Sequence, residues 1–116
     1  MQRLFKNLEY AAPLPLAAQV ECRPGQIASK TLVQNPAVGL TLFAFDAGEE
    51  ISSHTSTGDA LVQVLEGALE VTIAGTTQPV RAGEVIVMPA GQPHAVRALE
   101  RSAMLLTVIF APEAGK

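Results

Sequence analysis

The two histidines of the chain, His54 and His94, are the side chains best suited to chemistry. Each lies beside a turn rich in Gly, Ser or Pro near a predicted strand, in the segments HTSTGDALVQVLEG and GEVIVMPAGQPHAVRA. An imidazole that is neutral near pH 7 can accept a hydrogen bond, bind a metal ion or transfer a proton. The pattern therefore predicts two imidazoles directed into the mouth of a β-barrel.

Composition limits the class of protein that can carry these histidines. Of the 116 residues, 48% are apolar and 16% are charged, and the formal net charge is -3. A disordered chain would be poor in apolar residues, and a nucleic-acid-binding protein needs several Lys or Arg on one face. We therefore expect a folded domain that binds neither nucleic acid nor a membrane.

The single cysteine, Cys22, excludes a disulfide within the chain and favours a reducing compartment. The apolar stretch 11–20 resembles the core of a secretion signal, but Pro13 and Pro15 interrupt it. We therefore predict a cytoplasmic protein. Cys22 itself lies in a predicted strand, which favours a buried, inert thiol over a nucleophile.

Short strand patterns separated by Gly and Pro run through most of the chain. Leu4, Phe5 and Leu8 have helical spacing, but ten residues without a cap form at best a marginal helix. About nine or ten short strands are typical of an all-β sandwich or barrel. We expect a single domain over residues 1–116, with an N-terminal arm at 1–16. The predicted strands are 17–22, 26–34, 38–46, 60–66, 68–73, 78–81, 85–88, 94–98 and 103–110.

The predicted strand 38–46 is apolar on both faces. Phe43 and Phe45 share one face, and Leu40 and Leu42 share the other. A strand of this kind is covered on both sides. We expect the barrel interior to cover one face and a second subunit to cover the other, which predicts a homodimer.

Glycine and histidine spacing around the first histidine resembles a motif of the cupin family. That motif is Gly, five residues, His-x-His, three or four residues, Glu, six residues, Gly. Gly48, His54 and Gly67 are in register with it. Ser56 stands where the second His would be, and Ala60 stands where the Glu would be.

The second cupin motif is Gly, five residues, Pro-x-Gly, two residues, His, three residues, Asn. Gly83, Pro89, Gly91 and His94 match it, and Ala98 replaces the Asn. Both motifs are matched in their internal spacing, and the gap between them suits the family.

This resemblance covers residues 43–110 and implies a jelly-roll barrel, also called a double-stranded β-helix, with a conserved barrel at 38–110. It also implies a degenerate metal site, because metal-binding cupins hold a divalent ion with three His and one Glu, or with four His. Only His54 and His94 of that set are kept. Such a site leaves most of the coordination shell to water.

Other polar residues near the motifs have two interpretations each. Asp59 and Thr55 could supply oxygen ligands from the same loop, although an Asp beside Gly58 is typical of a turn. Arg97 either faces inward, where it would pair with an anionic ligand, or lies on the surface.

Two functional hypotheses follow, and the sequence leaves open whether the protein is an enzyme. In the first, the barrel mouth binds a small organic molecule. In the second, the protein is a metal-dependent oxygenase, isomerase or lyase in which His54 and His94 hold Mn, Fe, Ni or Zn. No catalytic residue is assigned. The predicted pocket residues are His54, His94, Ser56, Ala60, Val62, Phe43 and Met88.

Overall fold

The computed structural model describes residues 2–112, and the ends of the predicted domain, Met1 and residues 113–116, lie outside them. Within the described residues the chain forms two antiparallel β-sheets and one short 3₁₀ helix. The elements are the 3₁₀ helix Leu16–Gln19, β1 Ile27–Gln34, β2 Val38–Phe45, β3 Glu50–His54, β4 Asp59–Glu66, β5 Ala68–Ile73, β6 Thr76–Arg81, β7 Val85–Met88, β8 His94–Ala98 and β9 Ser102–Ile109.

The two sheets have the strand orders β1-β2-β9-β4-β7 and β3-β8-β5-β6. Side chains alternate along each strand, so one face of each sheet is apolar and buried. In β4, for example, Ala60, Val62 and Val64 are buried, whereas Gln63 between them is not. The prediction of an all-β jelly-roll barrel is confirmed.

The main core lies between the two sheets and contains side chains from both. Phe45 and Val62 come from the five-stranded sheet, and Leu69 and Val71 come from the four-stranded sheet. All four are fully buried at 0% exposure. Burial of these apolar side chains is what holds the sheets face to face.

A second, smaller core covers the outer face of β2 and corrects the interpretation of that strand. Leu42 is fully buried there, against Leu32 of β1 and the partly buried Leu8, Leu16 and Val20. The N-terminal segment of the same chain therefore covers this face, where we expected a second subunit. The apolar pattern of β2 alone is thus no evidence for a dimer, which stays a prediction.

The strand predicted at 17–22 is wrong. Residues Leu16–Gln19 form a 3₁₀ helix, in which the Pro15 carbonyl oxygen accepts hydrogen bonds from the Ala18 N–H and the Gln19 side chain. Between residues 2 and 112, no helix has the length and apolar character needed to cross a membrane.

The N-terminal arm contains no helix over residues 2–10, despite the helical spacing of its apolar residues. Leu4 and Phe5 are exposed at 61% and 45%, and Leu8 packs on the second core. The Lys6 N–H donates a 2.8 Å hydrogen bond to the Leu32 carbonyl. This bond holds the arm at the edge of β1, and the chain then bends at Asn7, where φ is +63°.

Strand β3 is an element that the sequence prediction lacked. It pairs with β8, but its register shifts between Ile51 and His54. His94 begins β8, as expected for a strand entrance, whereas His54 is the last residue of β3 and not the first of a strand. The position of the His54 ring therefore depends on the register shift at the end of β3.

Candidate functional site

The two histidines lie side by side on neighbouring antiparallel strands. His54 of β3 is the cross-strand partner of His94 of β8. Their Nε2 atoms are 3.2 Å apart, and the ring centroids are 4.4 Å apart with the rings inclined at 75°. The expectation that residues 40 positions apart would form one imidazole pair therefore agrees with the geometry.

A backbone contact fixes the tautomer of His54. Its Nδ1 lies 2.9 Å from the carbonyl oxygen of Ser52. Because a carbonyl oxygen only accepts, Nδ1 carries the hydrogen and donates it. In the neutral ring, Nε2 of His54 is then unprotonated and accepts the hydrogen bond from the Nε2–H of His94.

His94 is left with one buried nitrogen that has no partner. The residue is 3% exposed, and its Nδ1 makes no hydrogen bond within the described residues. Burial lowers the pKa of His94, and the neighbouring His54 lowers it further. The backbone of Gln92 opposes this shift of the pKa, although it does not reach hydrogen-bonding geometry with Nδ1. His94 is therefore neutral near pH 7.

Beside the imidazole pair lies a cavity of about 610 Å³. Its walls are mostly apolar, and its polar groups are the two imidazoles and the hydroxyls of a short loop after β3. The lining residues are Phe43, Ile51, His54, Thr55, Ser56, Thr57, Ala60, Met88, His94, Val96, Met104, Leu106 and Val108.

Six of the seven residues that the sequence places in a pocket line this cavity, and Val62 does not. Val62 is fully buried in the core between the sheets. Alternation along β4 gives Val62 the same inward direction as Ala60, but packed neighbours cover it. The structure thus brings together the imidazoles, Ser56 and the short Ala60 side chain at the mouth.

Several lining residues were missed because they look like ordinary core residues. Leu106 and Val108 share the inner face of β9 with Met104, and Val96 lies two residues beyond His94 on β8. The alternation of these strands, continued from Met104 and His94, was the signal that could have found them.

Two residues with open interpretations have structural roles outside the cavity. Asp59 accepts a 2.8 Å hydrogen bond from the Ala90 N–H, which ties the start of β4 to the turn before β8. Arg97 is on the outer face, where its guanidinium lies 3.9 Å from the Glu70 carboxylate. The inward-facing interpretation of Arg97 is therefore wrong.

Cys22 is also remote from the cavity. Its Sγ lies 3.3 Å from the Phe45 carbonyl oxygen and accepts a hydrogen bond from the Arg101 Nε–H at 3.3 Å. The thiol is a partly buried group that helps to hold the segment before β1 against the barrel.

The donor atoms of the site fit a resident metal ion poorly. The 3.2 Å between the two Nε2 atoms is compatible with one shared ion, since nitrogens at about 2.0–2.1 Å from zinc in tetrahedral geometry are about 3.3 Å apart. Within residues 2–112, however, no group of three or more His, Cys, Asp or Glu is placed to hold a metal. Ala60 has no donor atom and Ser56 offers only a neutral hydroxyl, so the set lacks the four donors of a closed site.

Comparison with known proteins agrees with the fold. The family model described as "Cupin domain" matches residues 41–110, more than half of the chain. The chain belongs to the cupin family.

Two solved structures are similar over almost the whole length. A conserved protein of unknown function, SPY1581 of Streptococcus pyogenes, is 45% identical over 97% of this chain and 98% of its own, with a TM-score of 0.93. A cupin superfamily protein of Desulfitobacterium hafniense, DSY2733, is 34% identical over 95% of this chain and 100% of its own, with a TM-score of 0.88.

A curated relative extends the similarity to a third organism. The uncharacterized protein SCO3923 of Streptomyces coelicolor is 31% identical over 80 residues, which are 69% of this chain and 74% of that protein. These descriptions give no substrate, so the function has to be argued from the cavity.

Proposed function

We propose that the protein binds a small, largely apolar organic molecule in the cavity, with His54 and His94 as its polar contacts. The observation that carries this proposal is the cavity itself, about 610 Å³ in volume and lined mainly by aliphatic, methionine and phenylalanine side chains. Small-molecule sites are typically apolar clefts of this size with a few convergent polar groups. Burial of the ligand's apolar surface would supply most of the affinity.

The cavity exists because the mouth of the barrel has small side chains. Ala60 is buried at 1% exposure and lines the same cavity as the imidazole pair. A larger side chain at this position would occupy the space that a ligand needs. A substitution at Ala60 can therefore reduce ligand binding by filling the cavity, without removing any core side chain.

The test is Ala60→Leu, with Ala95→Leu as a matched control. Ala95 follows His94 on β8, points to the opposite face and is not part of the cavity lining. With ethylbenzene as a probe in calorimetry, Ala60→Leu should weaken binding by about 10-fold or more, which is about 1.4 kcal/mol, and Ala95→Leu should leave it unchanged. Equal binding by both variants, or no binding by the natural chain, would contradict the proposal.

A metal-dependent enzyme is the second candidate, favoured by the arrangement of the imidazoles. The Ser52 carbonyl holds the hydrogen of His54 on Nδ1, so the Nε2 lone pair that accepts from His94 can bind a metal ion in place of that hydrogen. Backbone carbonyls often orient metal-binding histidines in this way. Mn, Fe, Ni or Zn would bind weakly and exchange, because water would complete most of the shell.

Metal titration separates this candidate from the first. The variant Ser56→His with Ala60→Glu restores the missing ligand types at positions that line the cavity beside the pair. Calorimetry with Ni²⁺ or Mn²⁺ should show weak binding to the natural chain and much tighter binding to the double variant. A stoichiometric metal in freshly purified natural protein would instead favour the enzyme.

We also propose a homodimer, formed through the outer face of the five-stranded sheet. Val85, Val87 and Ile109 are 53–57% exposed on β7 and β9, on either side of β4. Apolar side chains that are half exposed on one sheet face would be buried by the same face of a second copy. Light scattering should give about twice the chain mass of 12.2 kDa, and Val87→Lys should give the monomer. A monomeric natural chain would contradict the proposal.

A cytoplasmic location remains part of the proposed function. Cys22 is a free thiol in the structure, which is compatible with a reducing compartment. Fractionation of the producing cell should recover the protein with cytoplasmic markers, and recovery with secreted protein would contradict this assignment.

A further inference from the structure

The charge of the cavity lining restricts the class of ligand. Among the described residues, the lining contains no Asp, Glu, Lys or Arg. Arg97, the charged residue nearest to His94 in sequence, is on the outer face with Glu70. Burial of a charged group without a counter-charge is costly, so carboxylates, phosphates and ammonium groups are poor ligands for this cavity. The lining therefore favours an uncharged ligand.

The hydrogen-bonding capacity of the imidazole pair restricts the ligand further. His54 Nδ1–H is used by the Ser52 carbonyl, and His94 Nε2–H is used by His54 Nε2. With His94 in the Nε2–H tautomer that its contact with His54 requires, the pair has no free N–H, and Nδ1 of His94 is an acceptor without a partner. A ligand whose polar group only accepts hydrogen bonds can bond to the pair only by replacing His54 Nε2 as the acceptor of the His94 Nε2–H. It would leave His54 Nε2 unpaired.

A hydroxyl group avoids this loss because it both donates and accepts. We propose that the ligand is an uncharged molecule with an apolar body and a hydroxyl group that inserts between the two imidazoles. Its oxygen accepts from His94 Nε2–H, and its hydrogen is donated to His54 Nε2. This inference rests on the proposed function and names the chemical class of ligand for the same cavity.

The strand geometry allows the pair to open for such a ligand. A hydroxyl oxygen that makes two hydrogen bonds of about 2.8 Å at a roughly tetrahedral angle holds its two partners about 4.6 Å apart. The two Nε2 atoms are now 3.2 Å apart and must separate to that distance. His94 is buried at the start of β8, whereas His54 is exposed at the end of β3. The ring of His54 is therefore the one that moves.

Three probes with closely similar bodies test the inference on the full-length chain: 4-ethylphenol, 4-ethylanisole and ethylbenzene. They are titrated calorimetrically in the presence of EDTA, so that no metal ion contributes. We expect 4-ethylphenol to bind about 3- to 10-fold more tightly than 4-ethylanisole, as one net hydrogen bond predicts. The methyl ether can accept from His94 but cannot donate to His54.

A variant of the acceptor gives the second arm of the test. In His54→Phe the preference for 4-ethylphenol over 4-ethylanisole should disappear while ethylbenzene still binds. Ser53→Ala, an exposed neighbour on β3 outside the cavity lining, should keep the preference. Equal affinity of the natural chain for 4-ethylphenol and 4-ethylanisole would overturn this inference and leave the proposed function standing. Absence of binding for all three probes would overturn the proposed function as well.

Discussion

The two ends of the barrel interior are built from the same strands, yet one is filled and the other is hollow. At the closed end, Val64 of β4 and Ala98 of β8 pack with Leu69, all at 0–2% exposure. At the open end, Ala60 of β4 and His94 of β8 face a cavity of about 610 Å³. A change of four residues along either strand converts packed core into cavity wall.

The comparison shows how a small barrel separates stability from binding. Close packing at the closed end maximises dispersion contacts and burial of apolar surface. Residues at the open end give up part of that packing to keep space beside the imidazole pair. We therefore expect substitutions at the closed end to change the free energy of unfolding, and those at the open end to change ligand affinity.

The largest expected effect compares one leucine from each end. Leu69→Ala should lower the free energy of unfolding by about 2–5 kcal/mol, because it opens a cavity in a fully packed site. Leu106→Ala should cost clearly less, because Leu106 is partly buried and already borders the open cavity. Urea denaturation of both variants measures the difference. Equal losses would mean that the open end is packed as tightly as the closed end.

A pair of turn glycines gives an intermediate effect: Gly67 connects the two sheets at the closed end, whereas Gly75 lies in the β5–β6 hairpin near His94. Gly67 and Gly75 both have a positive φ, +78° and +87°, so alanine at either position should cost about 1–2 kcal/mol of backbone strain. At Gly67 the new Cβ would also overlap the Arg101 carbonyl and the Ser102 Oγ, whereas nothing lies near it at Gly75. Thermal unfolding should therefore show a lower midpoint for Gly67→Ala. Equal midpoints would show that the connection at Gly67 relaxes at no cost.

The smallest effect is a pH dependence that belongs to the open end. The pKa of His94 is lowered by burial and by His54, so the folded state binds a proton less readily than the unfolded state. Stability from this group is present above the usual pKa of 6.5 and is lost as the pH falls through the lower folded value. With EDTA present, the temperature at the midpoint of thermal unfolding should be lower at about pH 5 than at about pH 7. The difference between the two pH values should be smaller in His94→Asn.

Asp46 titrates in a separate, more acidic range and does not contribute to the difference between pH 7 and pH 5. The pKa of Asp46 is lowered mainly by the N–H of Gly25 and then by that of Ala47. The contribution of Asp46 to stability is present above its usual pKa of 3.8 and is lost only as the pH falls further.

An equal drop of the unfolding temperature between pH 7 and pH 5 in the natural chain and in His94→Asn would contradict the assignment to His94.

Strands with clear alternation and Gly or Pro boundaries could be predicted from the sequence to the residue. Ala68–Ile73, Val85–Met88 and His94–Ala98 have the predicted bounds. In Val85–Met88 the exposed Val85 and Val87 alternate with the less exposed Ile86 and Met88, as the pattern requires. Local periodicity is sufficient in such segments because one face is buried.

Elements that depend on distant partners could not be predicted. Glu50–His54 has no regular alternation, and it is a strand because it pairs with β8, some 40 residues further along the chain. Leu16–Gln19 forms a 3₁₀ helix instead of a strand, and Leu16 packs on the second core. In both cases long-range contacts outweigh the local preference of the residues.

The candidate site shows the same division. His54 and His94 could be identified because their residue type is rare in this chain and their spacing is that of a known motif. The cavity beside them could not, because it depends on where side-chain volume is missing, as at Ala60. The inward direction of Val62 predicts a pocket residue, but packed neighbours cover its side chain.

The irregularity in β1 has a consequence for solubility. β1 is an edge strand of its sheet, and its pairing with β2 shifts register between Thr31 and Val33. The Asn7 side chain and the Lys6 N–H donate to the Thr31 and Leu32 carbonyls at this shift. The arm thus occupies hydrogen-bonding groups that an extended strand of another molecule could otherwise use. Loss of residues 2–10 would leave a fold with an open edge, prone to self-association during heating or storage.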